Sequence, residues 1–386
     1  RGRWPVGVST AGETAAHETG EAGTADSAGA SGAASGTSKP PAGMGQRYPR
    51  AAVWGFSVGR QPAEEFSGFV MDTQVDGAQI SYRSATTELR SLVGYTGFRL
   101  RDSAVFVGSP AERGDSGNTF APSRALALVS VSFPELLSRQ SILLTGIADL
   151  DVPELPSSEV GGEPSTGRYH SLYGGAGLTG PLSTRMFYTL FGYYQRPSYG
   201  AGEDDGNSYS GHAAAGGGSL RYYLEELAYS TLQLRGAVAS GDAGHAARTG
   251  GFPGDTSTLF TPVNDPAVSE LFDVQFSNIW FSELQYSLRP FAPDYPTRSG
   301  FTAQVGVQAI GRPTSGAGTV ASASAALDSG YLGTVGFTEL RYRAGPNLSV
   351  TGVVDVFWPA DLLVQSGGFA SERPLTRIGI DASLAF

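Results

Sequence analysis

From about residue 50 onward, apolar and polar side chains alternate in short segments bounded by Gly, Pro, Ser, Asp or Thr. The stretch IGIDASLAF (378–386) is the plainest case. Ile378, Ile380, Ala382, Leu384 and Phe386 fall on one side, and Gly379, Asp381, Ser383 and Ala385 on the other. Strand side chains alternate faces with period 2, so this pattern predicts a strand with one apolar and one polar face. Fourteen segments of this kind follow one another, at 51–60, 78–84, 88–98, 124–133, 139–150, 167–178, 184–195, 210–224, 228–239, 278–288, 299–311, 331–343, 347–358 and 374–386. Most have the length, about 9–11 residues, that a tilted strand needs to cross a bilayer.

The connections sort by length. Short ones stand at 84–87, 134–138, 180–183, 225–227, 289–298 and 344–346. Long ones, rich in Gly, Asp, Ser and Pro, stand at 99–123, 151–166, 196–209, 240–277, 312–330 and 359–373. Alternation of short turns and long loops is the pattern of an outer-membrane barrel, with turns on the periplasmic side. The expected fold is therefore all-β: an antiparallel transmembrane β-barrel of about 14 strands over residues 50–386. The range extends to 16 if RGRWPVGVS (1–9) contributes a strand. Residues 1–49 read as a low-complexity tail or loop, because 9–45 holds almost no large apolar residue and cannot bury enough surface to fold. Two segments are candidates to fold inward as a constriction or to remain plain outer loops: EEFSGFVMDTQVDG (64–77) and the long connection 240–277.

Composition narrows the class. Charged residues make up 16% of the chain and no Cys is present, which excludes disulfide frameworks and thiolate metal sites. The net charge of −10 argues against a nucleic-acid partner, which would call for a basic surface. No apolar run approaches the ~18 residues of a membrane helix, so a membrane protein of this sequence has to be a closed barrel. The first residue is Arg rather than Met, as expected of a mature or trimmed chain. The motif Leu-(Arg/Gln)-Tyr recurs before short turns, in GSLRYYL (218–224), SELQYSL (282–288) and TELRYRA (338–344). Leu and Tyr share a face in each, which places Tyr222, Tyr286 and Tyr342 in an aromatic girdle at the inner interface.

The final aromatic residue, the alternating last strand and the sorted connections make the chain resemble Gram-negative-type outer-membrane β-barrels. In that class the C-terminal strand is the signal read by the barrel-assembly machinery. The resemblance implies that role for Ile378, Ile380, Ala382, Leu384 and Phe386. It also implies a bacterial outer-membrane location, with outer-membrane lipid and the assembly machinery as partners. ASGD (239–242), LFTP (259–262) and VDGAQISYR (75–83) are similar to loop patterns of alginate-export-type and related substrate-specific porins. The chain departs from trimeric general porins in lacking an acidic constriction-loop motif.

If the apolar faces meet lipid, the opposite faces line a lumen. Pore-lining candidates are Arg83, Arg90, Arg221, Arg235, Glu283, Glu339, Arg341, Arg343, Asp355, Arg377 and Asp381. With Glu88 added, seven arginines stand against five acids, a tilt toward anions. The same side chains are also able to pair across strands and brace the wall. Catalysis is not expected. His17, His170, His212 and His245 are scattered, no HExxH occurs, and the neighbours His170 and Ser171 face opposite ways in a strand. GHAAAGGGS (211–219) lies in a strand and is followed by no helix, so it is not a phosphate loop. No cofactor and no metal are expected.

The function expected from these features is a porin or channel for passive or selective diffusion of small hydrophilic solutes. One alternative is a hydrophobic-compound transporter, which would show inward apolar residues and a lateral wall opening, with Phe187, Phe191 and Phe337 as candidates. The other is a surface structural or adhesive barrel with a plugged lumen.

Overall fold

A computed structural model describes residues 52–98, 121, 123–137, 139–152, 168–200, 208–224, 227, 229–243, 256–264, 268, 275–291, 300–316, 330–343, 348–361 and 373–384. The low-complexity segment expected over 1–49 lies outside them. The elements among the described residues are all strands: β1 (Val53–Glu64), β2 (Asp72–Arg83), β3 (Glu88–Tyr95), β4 (Arg124–Leu137), β5 (Gln140–Asp151), β6 (Arg168–Pro181), β7 (Met186–Gly200), β8 (Ser208–Gly211), β9 (Ala213–Leu224), β10 (Ser230–Ala239), β11 (Thr256–Ser257), β12 (Ile279–Leu288), β13 (Phe301–Arg312), β14 (Gly330–Arg343), β15 (Leu348–Pro359) and β16 (Leu375–Leu384).

Fourteen of these form one antiparallel up-and-down wall, each strand paired with the next in sequence, with β1 and β16 as its two edges. Among the described residues the hydrogen-bonded path does not run from β16 back to β1, so they form a curled sheet whose two edges are not joined, where a closed barrel was expected. The two short strands sit at the rim on the long-loop side. There β8 pairs with β7, and β11 runs parallel to β8.

All fourteen alternating segments are wall strands. The largest correction concerns the first two. β1 runs on to Glu64 and β2 begins at Asp72, so of the segment 64–77, expected as a constriction or an outer loop, only 65–71 forms the tip and the rest is strand. The Pro62 and acids of that stretch suggest a loop. Its alternation instead carries Ala63 and Val75 into a buried cluster, and that burial extends the strands.

Each strand separates two environments. In β3, Leu92 is 1% exposed while its neighbour Val93 is 61% exposed. Register carries this division around the wall. Val93, Val129, Leu144, Leu172, Leu190, Leu234, Val305, Leu340 and Val354 share the convex face, and all are exposed. A continuous apolar convex belt is what a barrel presents to hydrocarbon. Tyr82, Tyr222, Tyr286 and Tyr342 stand on that face near the short turns, with Trp54 against Tyr82 at 4.8 Å. Trp280 and Trp358 stand on it toward the long loops. Ile378 and Ile380 are strongly exposed on the same face and Ala382 shares it. Leu384 pairs in register with Leu348, and Phe386 lies outside the described residues.

Candidate functional site: the lumen

The concave side has two halves. Toward the long loops its residues are apolar and buried: Leu92, Leu126, Leu128, Ile147, Phe281, Ile310, Val335 and Phe357 belong to one cluster. Toward the short turns they are polar or charged. What fills the first half is the β1–β2 hairpin. Pairing of β2 with β3 ends at Asp76↔Tyr95, and β1 has no second neighbour among the described residues. Residues 60–64 and 72–75 therefore pair only with each other and leave the wall.

The bend falls at Gly59 and Gly77, which face each other in register. Gly59 has a φ of +121°, a region that L side chains avoid. A Cβ on Gly77 would lie 2.1 Å from the Val93 carbonyl oxygen, so a close backbone approach requires glycine there.

The tip crosses the lumen and lands on β6, β7 and β12. Phe66 stacks on Tyr193 at 5.3 Å over Gly177, where any Cβ would strike its ring. Phe69 sits among Phe191 at 5.4 Å, Phe276 at 4.5 Å and Phe281 at 5.8 Å. Such offset and tilted ring pairs add to simple burial. The Glu65 carboxylate ties the tip together. It accepts from the Ser67 amide at 2.6 Å, the Ser67 hydroxyl at 2.6 Å, the Val70 amide at 3.1 Å and the Tyr193 hydroxyl across the lumen. A buried carboxylate with this many donors is satisfied and holds the turn rigid. From below, Arg90 donates to the Glu64 carbonyl at 3.3 Å, to the Pro62 carbonyl and to Gln79 Oε1 at 2.8 Å.

A second segment, 256–264, enters beside the hairpin. It is pinned at the rim, where the Ser240 hydroxyl donates to the Thr258 carbonyl at 2.7 Å and the His212 amide to the Ser257 carbonyl at 2.8 Å. Two side-chain amides then act as strand mimics. Gln195 Oε1 accepts from the Thr261 amide at 2.8 Å, and its Nε2 donates to the Thr261 carbonyl at 2.9 Å. Asn264 makes the same pair with Asp72, at 2.7 and 2.9 Å. The Val263 amide donates to the Val70 carbonyl at 2.9 Å. The two inward segments are thus bonded to the wall and to each other. The hairpin tip within 64–77 and the described stretch 256–264 of the connection 240–277, both among the regions expected to be capable of turning inward, do so.

At the rim, Arg124 and Asp149 form a bidentate pair at 2.7 and 2.9 Å. Arg124 also donates to the Tyr169 carbonyl at 3.1 Å and lies over the Tyr169 ring.

All eleven pore-lining candidates stand on the concave face by register. Several are paired: Arg83 with Glu88 at 2.8 Å, Arg235 with Glu283 at 2.6 Å, and Arg341 with Glu339 at 2.7 Å. Asp355 stands opposite Arg377, and Asp381 opposite Thr351. Arg221 donates to Gln233 Oε1 at 3.1 Å and makes no ion pair among the described residues. Arg343 closes the row at the short-turn end. Arg90 differs from the rest, because it braces the hairpin. Phe187, Phe191 and Phe337 also face inward.

On the convex side, Gly146, Gly174 and Gly192 present no side chain. With Val129, Val131, Leu144 and Tyr194 they leave a hollow of about 750 Å³ in the wall. Among the described residues no group of three or more acidic or His side chains is placed to hold a metal ion. His170 Nδ1 accepts from the Asp151 amide at 3.2 Å and His212 contacts the Tyr194 hydroxyl, while His17 and His245 lie outside the described residues.

Glu65, Phe69, Tyr193, Gln195 and Asn264 were not singled out by sequence reasoning. The one signal, and only for Phe69 and the tip around it, is the apolarity of FSGFVM (66–71).

No protein-family model and no curated protein sequence matches the chain. Among solved structures, it is similar to Pseudomonas aeruginosa OccK5 (OpdH), with 11% identity and a TM-score of 0.47 over 87% of this chain and 78% of that one. It is also similar to P. aeruginosa OccK11 (OpdR), with 15% identity and a TM-score of 0.35 over 81% and 79%. A third is the toluene transporter TodX of P. putida, with 10% identity and a TM-score of 0.28 over 79% and 81%.

Proposed function

We propose that this chain is a transport barrel of the bacterial outer membrane that passes small hydrophilic solutes through its lumen. The observation that carries the reading is the concave face below the hairpin. There Arg83, Arg221, Arg235, Glu283, Glu339, Arg341, Arg343, Asp355, Arg377 and Asp381 share one side of seven strands. A barrel meant only to be solid would carry its apolar core through both halves. The hairpin and segment 256–264 form the constriction, and catalysis plays no part. Outer-membrane lipid covers the convex belt, and the assembly machinery reads the last strand.

Single-channel recording of the refolded protein in planar bilayers tests this. Discrete steps, with a reversal potential in a salt gradient that shifts when Arg341 and Arg343 are replaced by Gln, are expected. A folded barrel that stays silent across voltages and after removal of the hairpin tip overturns it.

A second reading, passage of hydrophobic compounds, is favoured by the inward Phe187, Phe191 and Phe337 and by the glycine-floored hollow in the wall. Uptake of a radiolabelled alkane into vesicles holding the barrel, set against uptake of a labelled sugar, separates the two.

A further inference from the structure

We propose that the convex wall carries a seat for one phosphate-bearing lipid of the outer leaflet, with an acyl chain in the hollow of β4–β7 and the headgroup phosphate on Arg196 and His212. The proposal rests on the placement of the barrel in a membrane and not on what its lumen carries.

The hollow is a gap in the apolar belt. Gly146, Gly174 and Gly192 supply no side chain there, and Val131, Leu144 and Tyr194 stand around them. Packing within the chain does not call for glycine at these three positions. At Gly217, Gly306 and Gly311 a Cβ would strike a neighbouring strand or ring, whereas at Gly146, Gly174 and Gly192 it would meet nothing within 4 Å. None of the three has a positive φ. Their smallness leaves room on the outside of the wall, at the depth of hydrocarbon. Unfilled space forfeits dispersion contacts, so a hydrocarbon chain of the bilayer lies in it and is held by walls on both sides.

The polar end of the seat lies toward the long loops, which is the outer side. Two and four residues beyond Gly192, Tyr194 and Arg196 stand on the same convex face of β7. The register that pairs Gln195 with Ala213 and Ser198 with Ser210 sets Arg196 opposite His212, at the break between β8 and β9. All three side chains are exposed. The Tyr194 hydroxyl contacts His212 Nδ1, which leaves Nε2 as the atom the ring can offer. The Arg196 guanidinium makes no ion pair or hydrogen bond among the described residues. The acids of β5–β9 are Asp149 and Asp151, which fall on the opposite, concave alternation. An arginine on a lipid-facing wall is costly at mid-membrane and tolerated near an interface. There its planar fork matches a phosphate through two parallel hydrogen bonds. Strand rise puts Arg196 about 13 Å from Gly192 along β7, a span that one lipid covers from headgroup to chain.

Native mass spectrometry of the refolded barrel in detergent tests this, with dioleoyl phosphatidic acid and dioleoyl phosphatidylcholine titrated separately. One phosphatidic acid should bind more tightly than any that follow, and more tightly than phosphatidylcholine, which has the same chains and no net charge. Arg196→Gln should weaken that first binding by about tenfold or more, as loss of a charge-assisted hydrogen bond does. Gly192→Leu fills the hollow without a clash and should weaken it comparably; Gly174→Val repeats the change if the Leu variant fails to fold. Arg289→Gln, at an exposed arginine beside a short turn, should leave it unchanged.

The proposal is overturned if Arg196→Gln or the filled hollow binds phosphatidic acid like wild type. It is equally overturned if phosphatidylcholine binds as tightly, or if Arg289→Gln costs as much as Arg196→Gln. Displacement of the lipid by inorganic phosphate at equal concentration would make this a site for free anions. A two-chain mass that disappears in Gly192→Leu would give the hollow to a second copy. Either result also overturns it. A barrel that never conducts sinks the transport reading and leaves this one intact.

Discussion

Two ion pairs of the same chemistry stand in the two halves of the lumen. Arg124 and Asp149 meet at 2.7 Å near the long loops, with side chains 0% and 1% exposed. Arg83 and Glu88 meet at 2.8 Å beside a short turn, 44% and 37% exposed. The distances are nearly equal and the surroundings are opposite. The first pair is roofed by Tyr169 and fixed by a backbone carbonyl, as in a protein interior. The second borders water. The long-loop half of this lumen is therefore built as a core that happens to lie inside a wall, and the short-turn end at Arg83 and Glu88 as an aqueous surface that happens to curve inward, with the pair Arg235 and Glu283 still buried between them. Transport through the chain requires the first to be displaced and the second only to be crossed.

The largest effect should come from breaking the buried pair. Arg124→Ala leaves the Asp149 carboxylate buried without its partner, a loss of about 3–5 kcal/mol. Arg124→Met with Asp149→Leu should recover most of it, since a well-packed apolar pair removes the stranded charge. Urea unfolding in lipid vesicles, followed by tryptophan fluorescence, reads both. Wild-type stability in Arg124→Ala would mean that water reaches the rim and that the contrast between the halves is false. Next comes the hairpin tip. Glu65→Ala removes the acceptor for four donors, and at about 1–3 kcal/mol for a buried donor left unsatisfied the tip should open locally while the wall stays intact. Amide exchange at Ser67 and Val70 should rise by about 10- to 100-fold, with exchange in β6 and β7 unchanged.

The wall was legible in the sequence because strand alternation writes the environment of each face directly into every second residue. Leu232, Leu234 and Val238 against Gln233 and Arg235 leaves one arrangement in a membrane. The hairpin was legible only as a choice between inward and outward. FSGFVM has the apolarity of a buried segment, but no local pattern says which wall strands will receive it. The partners of Phe69 lie on β7, on β12 and at Phe276 just before β12, far off in sequence. Gln195 and Asn264 were harder still. Each acts by bonding a backbone that reaches it only after the fold has closed, and a lone amide in a strand or loop carries no sign of that. The eleven inward candidates stood out as a face. Which of them brace and which remain free was not readable, because that depends on register, as with Arg235 opposite Glu283.

Register also singles out Arg221. It faces Gln233 and Phe187, with no acid opposite it. Arg221→Glu loses one hydrogen bond to Gln233 and strands no acid, so it should cost about 0.5–1.5 kcal/mol. It should also reverse the local charge and move the reversal potential in a salt gradient toward cations. The same change at Arg235 would strand Glu283 beside a second carboxylate and destabilise the barrel. Equal stability effects at the two sites would erase the distinction between an arginine that braces an acid and one that does not.

The smallest effect belongs to the exposed pair with which the comparison began. Arg83→Gln keeps a hydrogen-bonding group on a shorter side chain while removing charge, and Glu88 stays solvated when its partner is lost. Exposed pairs contribute about 0–1 kcal/mol, and salt screens what they contribute. The unfolding midpoint should therefore hardly move at low ionic strength and not at all at high. Any loss should fade as salt rises, whereas the loss in Arg124→Ala should persist, because a charge buried between Tyr169 and the wall is beyond the reach of counterions. The salt dependence of the two variants, measured side by side, is thus a sharper test of dry and wet halves than either stability alone. If both losses fade together, the rim is wet and the hairpin does not seal it.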